Sequence, residues 1–285
     1  MTPREKSFNQ ALQDIIDGVG KRQDEKVDEI LRILKSARDS LYLRVSNTDW
    51  DAFILPQLRG AVEDSISRWE ALWLSIQADE LPNMWDAGID TIDAPLARAG
   101  ITIQAPMVAE TQLEIMASYS PDLIKSVGRD AVKRINGALQ VGLTSGKSAF
   151  ETMKDVDAII GLKTDKGVSY QAERIVRTEL ARVNSAARQA RIESLLNGMT
   201  EPEGQLFKKW IHSGKFHARK NHAALNGKIV PIEERFPGGF LYPHAPGMSA
   251  GETINCGCSH VVVMDWDALP QKYEPAEYRM RAKLL

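Results

Sequence analysis

YQAERIVRTELARVNSAARQARIESLLNGMTEPEGQLFKKWI, residues 170–211, changes its period partway along. From Tyr170 to Asn197 the apolar residues Ile175, Val176, Leu180, Val183, Ala187, Ala190 and Leu195 recur at the spacing of one long amphipathic helix, and Asn197-Gly198 supplies its stop. After Gly204 the texture differs: Phe207-Lys208-Lys209-Trp210-Ile211 reads as a strand, and Gly and Pro become frequent. Lys228-Ile229-Val230-Pro231, Gly239-Phe240-Leu241-Tyr242 and His260-Val261-Val262-Val263-Met264 read as further short strands. The stretch therefore predicts an α+β class: a small C-terminal domain of one long helix followed by short antiparallel strands with long loops.

Upstream the pattern is helical. Val27, Ile30, Leu31, Leu34, Ala37 and Leu41 form one stripe between Asp24 and Arg44. Thr48 or Asp49 is placed to cap a second helix running to about Ala78, with Val62, Ile66, Trp69, Trp73 and Ile76 on one face. Leu81-Pro82 is expected to end that helix and Asn83 to begin a shorter one that stops by Gly100. Ile101-Thr102-Ile103-Gln104 alternates like a short strand. Ser120-Pro121-Asp122 is expected to start the next helix, with Val127, Ala131, Ile135, Leu139 and Leu143 as its stripe, and Ser148 to start another that Gly161 ends. Leu162 to Ser169 is polar and turn-rich, and serves as the linker. This divides the chain into a helical region for assembly or docking (1–162), the α+β domain (163–270) and a C-terminal tail (271–285).

At 285 residues, 43% hydrophobic and 26% charged, the chain can bury a sizeable core without disulfide staples. Charged residues interrupt each apolar run before the roughly 18–20 residues that a membrane span needs, and the first residues lead into no apolar signal core, so neither membrane nor secretion is expected. The net charge of −2 hides an uneven distribution: residues 1–162 hold 18 Lys and Arg against 25 Asp and Glu, whereas 163–230 hold 13 against 6. Arg174, Arg177, Arg182, Arg188 and Arg191 supply much of that basic segment and are candidates for non-specific contact with nucleic acid; the bland alternative is pairing within the chain.

All five His (212, 217, 222, 244, 260) and both Cys (256, 258) lie in the C-terminal part. Cys256-Gly257-Cys258 places two soft sulfur ligands two apart, and His222, with His244 or His260, can complete a tetrahedral zinc site; Copper(I) suits the same donors. A lone C-x-C is also the pattern of two buried or redox-labile cysteines. An enzyme built from these letters would be a metal-dependent hydrolase using His222, the cysteines and a carboxylate such as Glu252. Gly142-Leu143-Thr144-Ser145-Gly146-Lys147-Ser148 lacks the first Gly of a phosphate-binding loop, since that position is Val141, and it follows a helix where the motif needs a strand. A helix cap explains it.

In order, Arg177-Thr178-Glu179, Lys208-Lys209-Trp210-Ile211, Arg219-x-x-His222, Leu225-Asn226-Gly227-Lys228, Tyr242-Pro243 and Ile254-Asn255-Cys256-Gly257-Cys258 resemble the phage Mu protein F-like, or head morphogenesis, family of minor head proteins. The resemblance covers roughly residues 165–265. It departs at Gly257, where the family usually carries Arg, and ahead of His222, where one Arg of a pair is present as Arg219. What the resemblance implies is a minor capsid component of a bacteriophage virion, inside the head near the portal after assembly in the host cytoplasm. Portal, capsid or scaffold proteins would be its partners, packaged DNA a non-specific one, and no catalytic step is implied.

Overall fold

The computed structural model describes residues 1–285 except 102–104, 163, 199–205, 214–218, 265, 267–278, 283 and 285. Five long or medium helices come first: α1 (Pro3–Ser46), α2 (Leu55–Arg98), α3 (Thr111–Thr144), α4 (Ala149–Ile160) and α5 (Gly167–Gly198). They are followed by β1 (Leu206–Ile211), α6 (Lys220–Leu225), β2 (Ile229–Pro231), α7 (Ala250–Thr253) and β3 (Ser259–Met264). The chain is α+β, as its periodicity predicts. Contacts group it into two units, one of Met1–Gln23, Glu80–Met116 and Arg177–Leu285, the other of Asp24–Asp79 and Ala117–Val176.

The second unit is helix on helix. Most of the predicted stripes are buried, namely Val27, Ile30, Leu34 and Leu41 of α1, Val62, Ile66, Trp69 and Trp73 of α2, and Val127, Ala131, Ile135 and Leu139 of α3, while Leu31, Ala37, Ile76 and Leu143 are half-buried. Trp69 and Trp73, one turn apart, lie with ring centroids 5.1 Å apart, and the Trp69 indole N–H donates to the Ile30 carbonyl at 3.3 Å. α4 is bounded as its letters demand. Ser148 and Glu151 form a capping box, and Gly161 closes the helix with φ 69° and its N–H on the Asp157 carbonyl. Gly142 lacks a Cβ that would stand 2.1 Å from Thr152 Oγ1, so it lets α3 close onto α4, and Lys147 pairs with Asp155 at 2.7 Å. The segment Gly142–Ser148 is thus spent on a helix junction. Of the linker expected at 162–169, residue 163 lies outside the described residues and 167–169 are the start of α5.

The first unit adds a sheet of order β2-β1-β3, antiparallel throughout. Lys208 pairs with Val262 and Trp210 with His260, so these four share one face, and all are buried. Phe8 of α1, Ile92 and Leu96 of α2, Ile192 and Leu195 of α5 and Val262 of β3 form one apolar cluster; Trp210, Leu225, Phe236, Cys256 and Cys258 form another. α2 and α5 meet closely at Gly88, where a Cβ would lie 2.4 Å from the Asn184 carbonyl oxygen and 2.7 Å from Ala187 Cβ.

Four sequence expectations are corrected. α1 starts at Pro3, well before Asp24. α2 runs unbroken through Pro82 and Pro95, and α3 through Pro121 from a start at Thr111. Proline costs an interior helix about 3 kcal/mol, and around Pro82 the burial of Leu81, Met84 and Trp85 outweighs that local penalty. Gly239–Tyr242 is a turn: Gly238 and Gly239 take φ of 90° and 86°, and Phe236 N–H donates to the Phe240 carbonyl at 2.8 Å. Of the strand expected at 101–104, residues 102–104 lie outside the described residues.

Candidate metal centre

α6 is a turn and a half long and is held against β1 by two backbone bonds. Gly227 N–H donates to the Trp210 carbonyl at 2.9 Å, and Trp210 N–H to the Lys228 carbonyl at 3.0 Å. Gly227 has φ 77°, which the return toward β2 requires. α7 ends at Thr253, and Asn255 turns the chain with φ 55° into Cys256-Gly257-Cys258, which runs directly into β3. Arg219 joins the two pieces. Its guanidinium donates to the carbonyls of Gly251 and Ile254, and the Asn255 N–H donates to Thr178 Oγ1 of α5 at 2.9 Å. Three of the six motifs are thereby bonded to one another.

The result brings His222, Cys256 and Cys258 together, with their ligand atoms all within 4.8 Å of one another. His222 Nδ1 lies 3.5 Å from Cys256 Sγ and 3.7 Å from Cys258 Sγ. The other ring nitrogen, Nε2, is 2.7 Å from Glu252 Oε2, and Asn221 Nδ2 donates to both oxygens of that carboxylate at 3.1 Å. Trp210 and Phe240 meet the imidazole edge-on at 5.4 and 5.6 Å. His222 and both cysteines are buried. Hydrogen bonding from the Cys256 thiol pushes Cys258 down to about 4, helped by His222 and the Ser213 N–H, while the same bond and burial push Cys256 up.

The other histidines are placed differently. His244 Nε2 bonds the Cys256 carbonyl at 3.0 Å, and burial pushes its pKa down to about 4. His260 lies on β3 with its ring 5.3 Å from that of Tyr242, and burial lowers its pKa well below the usual imidazole range. Neither belongs to the three-ligand group. His212 uses its backbone N–H to meet Asn226 Oδ1, and His217 lies outside the described residues. Glu252, which the sequence offered only as an enzyme's carboxylate, stands 2.7 Å from the Nε2 of His222.

The basic helix does not present one basic face. Arg188 is fully buried, bonded to the His260 carbonyl at 2.7 Å, to Asn184 Oδ1 at 2.7 Å, to Thr91 Oγ1 and to Ser259 Oγ. Arg191 is buried against Asp93 at 2.6 Å and the Pro106 carbonyl at 2.9 Å. These two are corrected from surface to interior, because Thr91 and Asp93 of α2, together with Asn184, the Pro106 and His260 carbonyls and Ser259, receive them. Arg182 pairs with Glu179 at 3.2 Å, Arg174 stacks over Tyr170 at 5.5 Å, and Arg177 is half-buried.

Residues 133–261 match the family model described as Phage Mu protein F like protein. An NAD(+)--arginine ADP-ribosyltransferase EFV from Enterococcus faecalis is 28% identical over 166 residues, which is 57% of this chain and 30% of that protein. The uncharacterized protein YqbB of Bacillus subtilis is 31% identical over 122 residues, 40% of this chain and 39% of that protein. The chain thus spans well under half the length of either relative. No solved structure matches. The helix α5, strands β1 and β2, the start of β3 and the His/Cys group fall within the matched stretch, which is similar to the Phage Mu protein F-like family.

Proposed function

We propose that this chain is a minor head protein of a tailed phage, acting with the portal in capsid assembly and in DNA packaging or delivery. The observation that carries the reading is the family match over residues 133–261, which extends across all of the motif succession. Supporting it, the motif residues are used to build a lobe: Thr178 receives Asn255, Arg219 receives the end of α7, and His222 faces two buried thiols. Side chains occupied in this way are suited to shaping an assembly surface and poorly suited to turning over a substrate.

The helical unit supplies contact surface. Leu43, Phe53, Val141 and Phe150 are exposed apolar side chains there, the kind of surface that a head protein would bury against a portal or scaffold partner. Protein contact ranks ahead of DNA contact in this reading, because Arg188 and Arg191 are engaged inside the fold. We assign the part shared with the E. faecalis transferase to a non-catalytic module, so the purified chain should release no nicotinamide from NAD+ in the presence of an arginine acceptor. Purified heads, with and without the gene, test the main reading by quantitative mass spectrometry and DNA content. The chain should be present at low copy in wild-type heads, and heads lacking it should be fewer or less infectious. Its absence from assembled heads would overturn the proposal.

A further inference from the structure

We propose that His222 Nδ1, Cys256 Sγ and Cys258 Sγ bind one zinc ion that holds α6 to the α7–β3 connection, with water in the fourth position. Zinc bonds of about 2.3 Å to sulfur and about 2.0–2.1 Å to nitrogen at tetrahedral angles separate the two donors by about 3.6 Å. The observed nitrogen–sulfur distances, 3.5 and 3.7 Å, straddle that value. The ligands converge on one point although they come from segments 34 and 36 residues apart.

The surroundings match what a metal-bound histidine requires. Glu252 Oε2, on a carboxylate held by Asn221, lies 2.7 Å from Nε2, a carboxylate beside the ring nitrogen opposite the thiols, which leaves Nδ1 to face the ion. The sulfurs are prepared too: Cys258 N–H donates to Cys256 Sγ at 3.4 Å, and the Ser213 N–H bonds Cys258. The shell beyond them is apolar, made by Trp210, Leu225, Phe236 and Phe240. Two thiolates buried there without a cation would be costly; with a divalent ion and a neutral imidazole the group has no net charge. Binding releases the thiol protons to solvent, and no electron is transferred. Zinc is the best match among divalent ions to a nitrogen and two thiolates without redox chemistry. All three ligands are buried, and the ion ties α6 to the α7–β3 connection.

The full-length chain, reduced and stripped of metal, is titrated with zinc against a chromophoric chelator and, separately, with cobalt(II). We expect one equivalent of zinc per chain and a thiolate-to-cobalt charge-transfer band, both lost in Cys258→Ser. Glu252→Gln keeps the ligands and the packing, so it should fold, retain the stoichiometry at saturating zinc and weaken affinity by about 10–100-fold. A reduced, folded chain that takes up no zinc, or zinc binding unchanged in both Cys258→Ser and Glu252→Gln, would overturn the proposal. Oxidation of Cys256 and Cys258 to a disulfide that persists in reducing buffer would do the same.

Discussion

The helical unit and the sheet-bearing lobe of the other unit hold themselves together by different means. In the first, Trp69 and Trp73 stand one turn apart on α2 and bury against α1 through the helical period alone. In the second, Cys256 and Cys258 stand two apart on a loop, and what surrounds them arrives from α6, α7, β1 and the turn at Phe240. One region is stabilised by many interchangeable apolar contacts. The other depends on a few polar groups, each with a definite partner, so its tolerance to substitution should be lower and more specific.

The sharpest way to break the polar side of this comparison is Asp93→Ala. It removes the carboxylate that binds both Arg191 and Arg281, and it leaves a buried guanidinium unpaired. Urea denaturation should show a loss of about 3–5 kcal/mol. Gly88→Ala comes next, at about 3 kcal/mol by the same measurement, since the new methyl would meet the α5 backbone at 2.4 Å. Gly60, in the helical unit on the same helix, has nothing within 4 Å of a Cβ, and Gly60→Ala should stabilise by about 0.5–1 kcal/mol. Were both glycine variants to shift stability the same way, the contrast between the regions would fail.

Lys208 sharpens the comparison through pH. Its side chain is fully buried on β1 over the Phe236 ring, and burial pushes its pKa down to about 8, with Arg235 adding to the shift. A lysine whose folded pKa is depressed favours the neutral form, so its contribution is fully present above the unfolded value and is lost as pH falls through the folded one. Stability should therefore rise by about 2 kcal/mol between roughly pH 7.5 and 9.5, and Lys208→Met should flatten that rise. Chemical denaturation across that range decides it; an unchanged slope in the variant would remove Lys208 from the account.

Much of the helical unit was legible because its signals are local. Ser148, Glu151 and Gly161 bound α4 by chemistry that needs no neighbour, and most of the stripes of α1 to α3 are buried. Pro82 and Pro121 misled for the same reason: their penalty is local, and burial contributed by distant residues outweighs it. In the lobe the candidate ligands could be named from residue type, yet which histidine meets the thiols depends on Arg219 bonding Gly251 and Ile254, which no spacing encodes. Arg188 and Arg191 show the limit of charge patterning, because a basic helix face carries no sign of whether carboxylates and carbonyls wait opposite it.

Hydrogen–deuterium exchange of the zinc-loaded chain, with and without a chelator, tests most directly that the two regions owe their stability to different causes. Removing the ion should raise exchange across α6, α7 and β3 and leave residues 24–79 and 117–176 unchanged. Equal loss of protection in both regions, or none in the lobe, would contradict the account.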